Sequence, residues 1–130
     1  MIERILLVDD DADFAEACRN FLEAAGYVVD VEDRSDRVME KIREFRPDLV
    51  LLDVLMGDET AGFTIADAIA GDDSLKNLPV VFLTGWFRRM GTVDREDEYV
   101  RKWANVRYVL DKPVKPSVLL SVIEQLKSAA

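Results

Sequence analysis

The stretch Pro47-Asp48-Leu49-Val50-Leu51-Leu52-Asp53 constrains the fold of this chain more than any other. It is a short, continuous apolar run, bounded by a proline in front and by Gly57 and Asp58 behind, and it ends in one carboxylate. Such a run reads as a strand buried on both faces, as in the middle of a parallel sheet. In open α/β sheets, ligands collect in the crevice beyond the carboxyl ends of the central strands. Asp53 therefore stands where chemistry is done rather than where side chains pack. Taken alone, it could equally be a solvated acid at a loop entrance, and its meaning depends on what the other strand ends carry.

Those ends carry more acids and a lysine. Arg4 to Val8 is a second apolar run and stops at Asp9-Asp10-Asp11. From Asp13 to Ala25, Phe14, Ala17, Cys18, Phe21, Leu22 and Ala25 recur at helical spacing, with Gly26 in the position of a C-terminal cap. Tyr27 to Val31 reads as a short strand. Ser35 or Asp36 can cap a helix carrying Val38, Met39, Ile42 and Phe45, which Pro47 stops. After Asp53, a loop rich in glycine and acids leads from Gly57 to Gly62 into a helix with Phe63, Ile65, Ala66 and Ile69. Leu78 to Thr84 is a fourth buried strand, with Pro79 at its start, where a missing N–H is tolerated. An irregular segment from Trp86 to Thr92 precedes a helix with Val100, Trp103 and Ala104 on one face, and Asn105 is expected to take its left-handed cap. Val106 to Leu110 is a fifth strand, closed by Lys112-Pro113, and Pro116 opens a last helix with Val118, Leu119, Val122, Ile123 and Leu126 apolar. Strand and helix alternate five times, which predicts a doubly wound α/β sandwich built on a parallel sheet.

Composition narrows the function. At 130 residues and 49% hydrophobic, the chain suffices for one domain, expected over residues 1–130. A net charge of -9 argues against nucleic acid or an anionic membrane as the main partner, and fits a cation site or a basic protein. No apolar run is long enough to span a bilayer, and Met1 to Ile5 lacks the arrangement of a signal peptide, so the expected location is cytoplasmic. One cysteine, Cys18, and no histidine exclude an internal disulfide, His-based zinc sites and Ser-His triads. Cys18 itself reads as a small buried hydrophobe.

With the first and third strands adjacent at the switch point, Asp9, Asp10 and Asp53 converge in one crevice. Three carboxylates repel one another unless a cation joins them, and an all-oxygen set suits Mg²⁺ or Mn²⁺. A metal beside Asp53, a hydroxyl from Thr84 and an ammonium from Lys112 are the parts phosphoryl transfer needs: a carboxylate nucleophile, and positive charge and a donor for the equatorial oxygens.

With these residues in this order, the chain resembles a response-regulator receiver domain of two-component signalling. The matching residues are Asp9-Asp10 after Ile5-Leu6-Leu7-Val8, Asp53 after Pro47 to Leu52, Thr84 in Phe82-Leu83-Thr84-Gly85, and Lys112-Pro113. The resemblance implies a flavodoxin-like (βα)5 sandwich with a sheet of order 2-1-3-4-5. It implies that Asp53 accepts a phosphoryl group from a sensor histidine kinase or a histidine phosphotransfer protein. Asp10 would bind Mg²⁺ directly, Asp9 largely through water, and the main-chain carbonyl of Leu55 would complete the set. Thr84 and Lys112 would hold the phosphoryl oxygens, and the Lys112-Pro113 bond would be cis. Such a domain is a conformational switch rather than an enzyme, with only slow self-catalysed phosphorylation and dephosphorylation.

Three positions depart from the family pattern. Gly57 stands where proline is usual, the segment between Thr84 and Lys112 is several residues longer, and Val109 holds the place of an aromatic three residues before the lysine. Tyr108, one position earlier, is expected on the opposite face of the strand. Output to a downstream protein is therefore expected through Trp86 to Tyr99. Leu55 and Trp86, at the positions that flank the attacking water in this family, predict a long-lived phosphoryl group. Gly57 and Val109 also support an alternative, an interaction domain of the same fold that signals without phosphorylation. Aspartate-nucleophile phosphatases rank last, because they place paired acids and nucleophile on the first strand.

Overall fold

The computed structural model describes residues 2–54, 61–84 and 102–129. In chain order the elements are β1 (Arg4–Val8), α1 (Ala12–Ala24), β2 (Val28–Glu32), α2 (Val38–Phe45), β3 (Leu49–Asp53), α3 (Ala61–Ala70), β4 (Val80–Thr84), β5 (Val106–Asp111) and α4 (Pro116–Ala129). Single 3₁₀ turns at Ser35–Arg37 and Asp73–Leu75 precede α2 and β4. The five strands form one sheet in the order β2-β1-β3-β4-β5, every pair parallel, as the alternation and the resemblance led one to expect.

β3 is central and buried along its whole length, the reason its sequence is apolar without alternation. Its even and odd positions feed two cores. Val50, Leu52 and Val54 pack with Val38 and Ile42 of α2 and Ile65, Ala66 and Ile69 of α3. Leu49 and Leu51 pack with Ala15, Cys18 and Leu22 of α1 and Leu119, Val122 and Ile123 of α4. Entry into β3 is pinned beside β1: the Asp48 carboxylate accepts hydrogen bonds from the Glu3 and Arg4 amides, both at 2.9 Å.

Local details depart from the sequence reading. No side chain caps α2; Ser35 and Asp36 lie in the preceding 3₁₀ turn. Gly26 takes the positive φ expected of it, +101°. The other left-handed residue described is Arg46, φ +53°, which ends α2 ahead of Pro47. Asn105 is therefore not a left-handed cap. It is buried, and its amide nitrogen donates to the carbonyls of Leu75, Lys76 and Leu78, tying the approach of β4 to that of β5. Trp103 is buried as expected, but Ala104 is exposed, and Val100 lies outside the described residues. The Trp103 ring stacks on Phe63 and meets Phe82 edge-on, while its Nε1–H donates to Asp67 Oδ1 at 2.6 Å. α3 is thereby clamped to β4 and to the approach of β5.

Between β4 and β5 the register slips. Val80 opposes Val106 but Val81 opposes Tyr108, so Arg107 is the extra residue of a bulge. This lets Val106 and Val109 face the same core although three positions apart, while Tyr108 and Leu110 face the other. Tyr108 thus lies opposite Val109, and its hydroxyl meets Gln125 Oε1 of α4 at 3.0 Å.

Candidate functional site: an acid cluster closed by a lysine

Parallel register brings the strand ends together. Val8 opposes Leu52, so Asp9 and Asp53 follow side by side at the carboxyl ends of β1 and β3. Asp53 opposes Leu83, one residue before Thr84, and Thr84 opposes Asp111, one residue before Lys112. The predicted residues Asp9, Asp10, Asp53 and Lys112 meet in one crevice. Thr84 ends β4 beside them by backbone position; its side chain lies outside the described features. Leu55, Gly57 and the whole of Trp86 to Tyr99 fall outside the described residues, and with them the expectations on the metal-binding carbonyl, the flanking apolar pair and the output segment.

Asp9 and Asp53 are buried, 1% and 5% exposed, whereas Asp10 is exposed. One carboxylate oxygen from each of the three lies within 4.8 Å of the others. Lys112 Nζ donates to Asp9 Oδ2 at 2.7 Å and lies 3.4 Å from Asp53 Oδ2. Burial lowers the lysine's pKa, but the hydrogen bond to Asp9 and the charges of Asp53 and Asp9 outweigh it, and the net shift is upward, so the ammonium keeps its proton. The Lys112-Pro113 bond is cis. Among the described residues, three carboxylates against one ammonium leave a formal charge of −2 in the crevice. A divalent cation balances that charge, and a donor set of oxygens alone is what Mg²⁺ takes, so the residues fit the metal.

Three residues that serve this site escaped the sequence reading. Asp11, not Asp9 or Asp10, caps α1: its Oδ1 accepts the Phe14 amide at 3.1 Å. That cap leaves Asp9 and Asp10 to the crevice, while Asp9 Oδ1 accepts the Asp11 amide at 2.9 Å. Phe14, read as core, lies with its ring 4.6 Å from Lys112 Nζ. Gly62, read as a loop residue, is the second residue of α3, and a Cβ built there would lie 2.4 Å from Val54 Cα and 3.0 Å from the Asp53 carbonyl oxygen. The sequence hinted at the first only through the general preference for aspartate at a helix N-cap, which Asp9, Asp10 and Asp11 share. The other two are contacts between separate elements and leave no signal in the pattern of either one. A cavity of about 480 Å³ lies at the opposite end of the sheet, lined by residues that precede the strands, among them Ile2, Asp48, Leu78 and Pro79, and has no part in this chemistry.

A five-stranded parallel sheet of this order, with acids and a lysine at its carboxyl edge, defines a doubly wound sandwich with a charged site at its switch point. The family model of the response regulator receiver domain matches residues 5–124, and the chain belongs to that family. It is 26% identical to the polar-differentiation response regulator DivK of Brucella anthropi, over 98% of this chain and 96% of that one. It is 31% identical to the DNA-binding response regulator MtrA of Mycobacterium tuberculosis over 93% of this chain, and spans about half, 49%, of that protein's length. Among solved structures, the chemotaxis response regulator CheY4 of Vibrio cholerae superposes with a TM-score of 0.80 at 25% identity, covering 96% of this chain and 98% of the other. The signal receiver domain of a DNA-binding response regulator from Colwellia psychrerythraea gives 0.81 at 25% identity, covering 97% and 98%.

Proposed function

We propose that this receiver domain, formed by residues 1–130, takes a phosphoryl group on Asp53 from a sensor histidine kinase or a histidine phosphotransfer protein and acts as a conformational switch in the cytoplasm. The observation that carries the reading is the position of the Lys112 ammonium, 2.7 Å from Asp9 and 3.4 Å from Asp53 within an acid cluster at the strand ends. No helix among the described residues is long and apolar enough to cross a membrane. A downstream protein is the proposed target of the segment from Trp86 to Tyr99.

In this mechanism an Asp53 carboxylate oxygen attacks phosphorus in line as the bond from phosphorus to the donor's histidine nitrogen breaks, and the imidazole leaves. Lys112, kept charged by its acidic neighbours, meets an equatorial oxygen of the transferred group, and the Thr84 hydroxyl donates to another. Asp9, Asp10 and Asp53, with the carbonyl of Leu55, would hold Mg²⁺, or Mn²⁺ in its place, which when bound neutralises charge on the transferred oxygens. Burial of Asp53 limits the water around the nucleophile, so the fixed ammonium acts at low dielectric. Slow self-catalysed uptake and loss of the group are expected, without turnover of a substrate.

Incubation with Mg²⁺ and acetyl phosphate, read by intact mass, tests the reading. One added phosphoryl group is expected on the parent and none on Asp53→Asn. An unmodified parent, or equal labelling of Asp53→Asn, refutes it.

A further inference from the structure

We propose that Phe14 is a positioning residue for phosphoryl transfer: its ring holds the Lys112 ammonium over Asp9 and Asp53, with Nζ 4.6 Å from the ring centroid. This role rests on the function proposed above. Four residues form a closed circuit. Asp9 Oδ1 accepts the Asp11 amide, Asp11 Oδ1 accepts the Phe14 amide, the Phe14 ring faces Lys112 Nζ, and Nζ returns to Asp9 Oδ2. The cap that starts α1 therefore also sets where the ring stands, and the acid that binds the lysine, Asp9, in turn holds the amide of the capping residue, Asp11.

The chemistry favours a ring at this place over a further acid. An ammonium has three N–H donors, and the oxygens of Asp9 and Asp53 lie 2.7 and 3.4 Å from it. The negative face of an aromatic ring attracts the cation without occupying a donor in a fixed direction, so a donor stays available for a transferred oxygen. It also adds no charge to a crevice that already carries an excess of acid. A lysine loses much rotamer freedom when its tip is fixed, and the side chain here is 23% exposed, with solvent as the competing destination. The half-buried ring removes the outward rotamers in advance. Mere packing of Phe14 against the α1 core is the competing explanation, since the residue also borders that core.

The test uses the full chain with Phe14→Leu, Phe14→Tyr and two isosteric replacements, difluoro- and trifluorophenylalanine, which keep the ring's size and drain its face of negative charge. Phosphoryl uptake from acetyl phosphate with Mg²⁺ is read as its maximal rate constant and half-saturating donor concentration, and the ring-current shift of the Lys112 Cε protons by NMR. Phe14→Leu is expected to slow uptake about three- to tenfold, mainly in the maximal rate constant, and to abolish the shift. Phe14→Tyr should keep the parent rate, and the fluorinated rings should lower it stepwise at unchanged melting temperature. Should Phe14→Leu fail to fold, the isosteric pair still decides. Fluorinated variants that run at the parent rate overturn the role while leaving the proposed function standing. A parent that takes up no phosphoryl group overturns that function, and the role with it.

Discussion

Replacing Gly62 by alanine sets two effects of opposite sign against each other. Alanine is the better helix former, and in an open helical position the change would stabilise by about 0.5–1 kcal/mol. Here the added Cβ would lie 2.4 Å from Val54 Cα and 2.9 Å from its carbonyl oxygen, both backbone atoms of the chain leaving β3. Ordinary carbon contacts begin near 3.5 Å, so the start of α3 must retreat by roughly 1 Å. That retreat stretches the bond from the Gly62 amide to the Val54 carbonyl, 3.2 Å in the parent. Overpacking of this kind costs about 1–3 kcal/mol, and it outweighs the propensity gain to leave a net loss of about 1–2 kcal/mol. Gly71 is the control: its Cβ would meet the Asp67 carbonyl at 3.3 Å, a contact that yields with a slight shift. Urea unfolding followed by circular dichroism should place Gly62→Ala below the parent at equal slope, with Gly71→Ala within about 0.5 kcal/mol of it. Because Val54 follows Asp53 directly, Gly62→Ala should also slow phosphoryl uptake. A Gly62→Ala protein as stable as the parent or more so would refute the reasoning, since propensity alone would then have decided.

Lys112→Met leaves the buried Asp9 facing its neighbouring acids without the ammonium at 2.7 Å. Without metal it should lose about 2 kcal/mol, a share of that returning in excess Mg²⁺; urea melts in chelator and in Mg²⁺ check this, and a variant more stable than the parent in chelator contradicts it. Cys18 has its thiol pushed up by burial, and then by Asp9, from 9.0 to about 11. The unfolded chain therefore loses this proton first, and stability should fall as pH rises from 9 towards 11, by about 1.4 kcal/mol per pH unit at most. Lys112, shifted upward from 10.5, contributes in full below that value and loses its contribution above it. Cys18→Ala should flatten the decline between pH 9 and 10.5 in pH-stepped melts, and an unchanged slope there would show that the thiol is not what titrates.

Most of the architecture was legible in the chain because it depends on short-range patterns. Apolar runs of strand length, each followed by an amphipathic stretch, dictate a parallel sheet, and a parallel sheet gathers the carboxyl ends of its strands at one edge. Asp9, Asp10, Asp53 and Lys112 could thus be placed together from their positions after those runs, although Asp9 and Lys112 are 103 residues apart. Tertiary structure alone decided how each neighbour serves them. Three successive acids follow β1, and only the direction of the first turn of α1 makes Asp11 the cap and leaves the other two to the crevice. The left-handed turn fell to Arg46 rather than Asn105, whose amide was drawn to three carbonyls across the loop before β4. The bulge at Arg107, the approach of Gly62 to Val54 and the ring of Phe14 beside Lys112 are contacts between separate elements. Periodicity and propensity describe a residue's relation to its own helix or strand, whereas these contacts arise only when whole elements dock, and docking is settled by the summed packing of both cores.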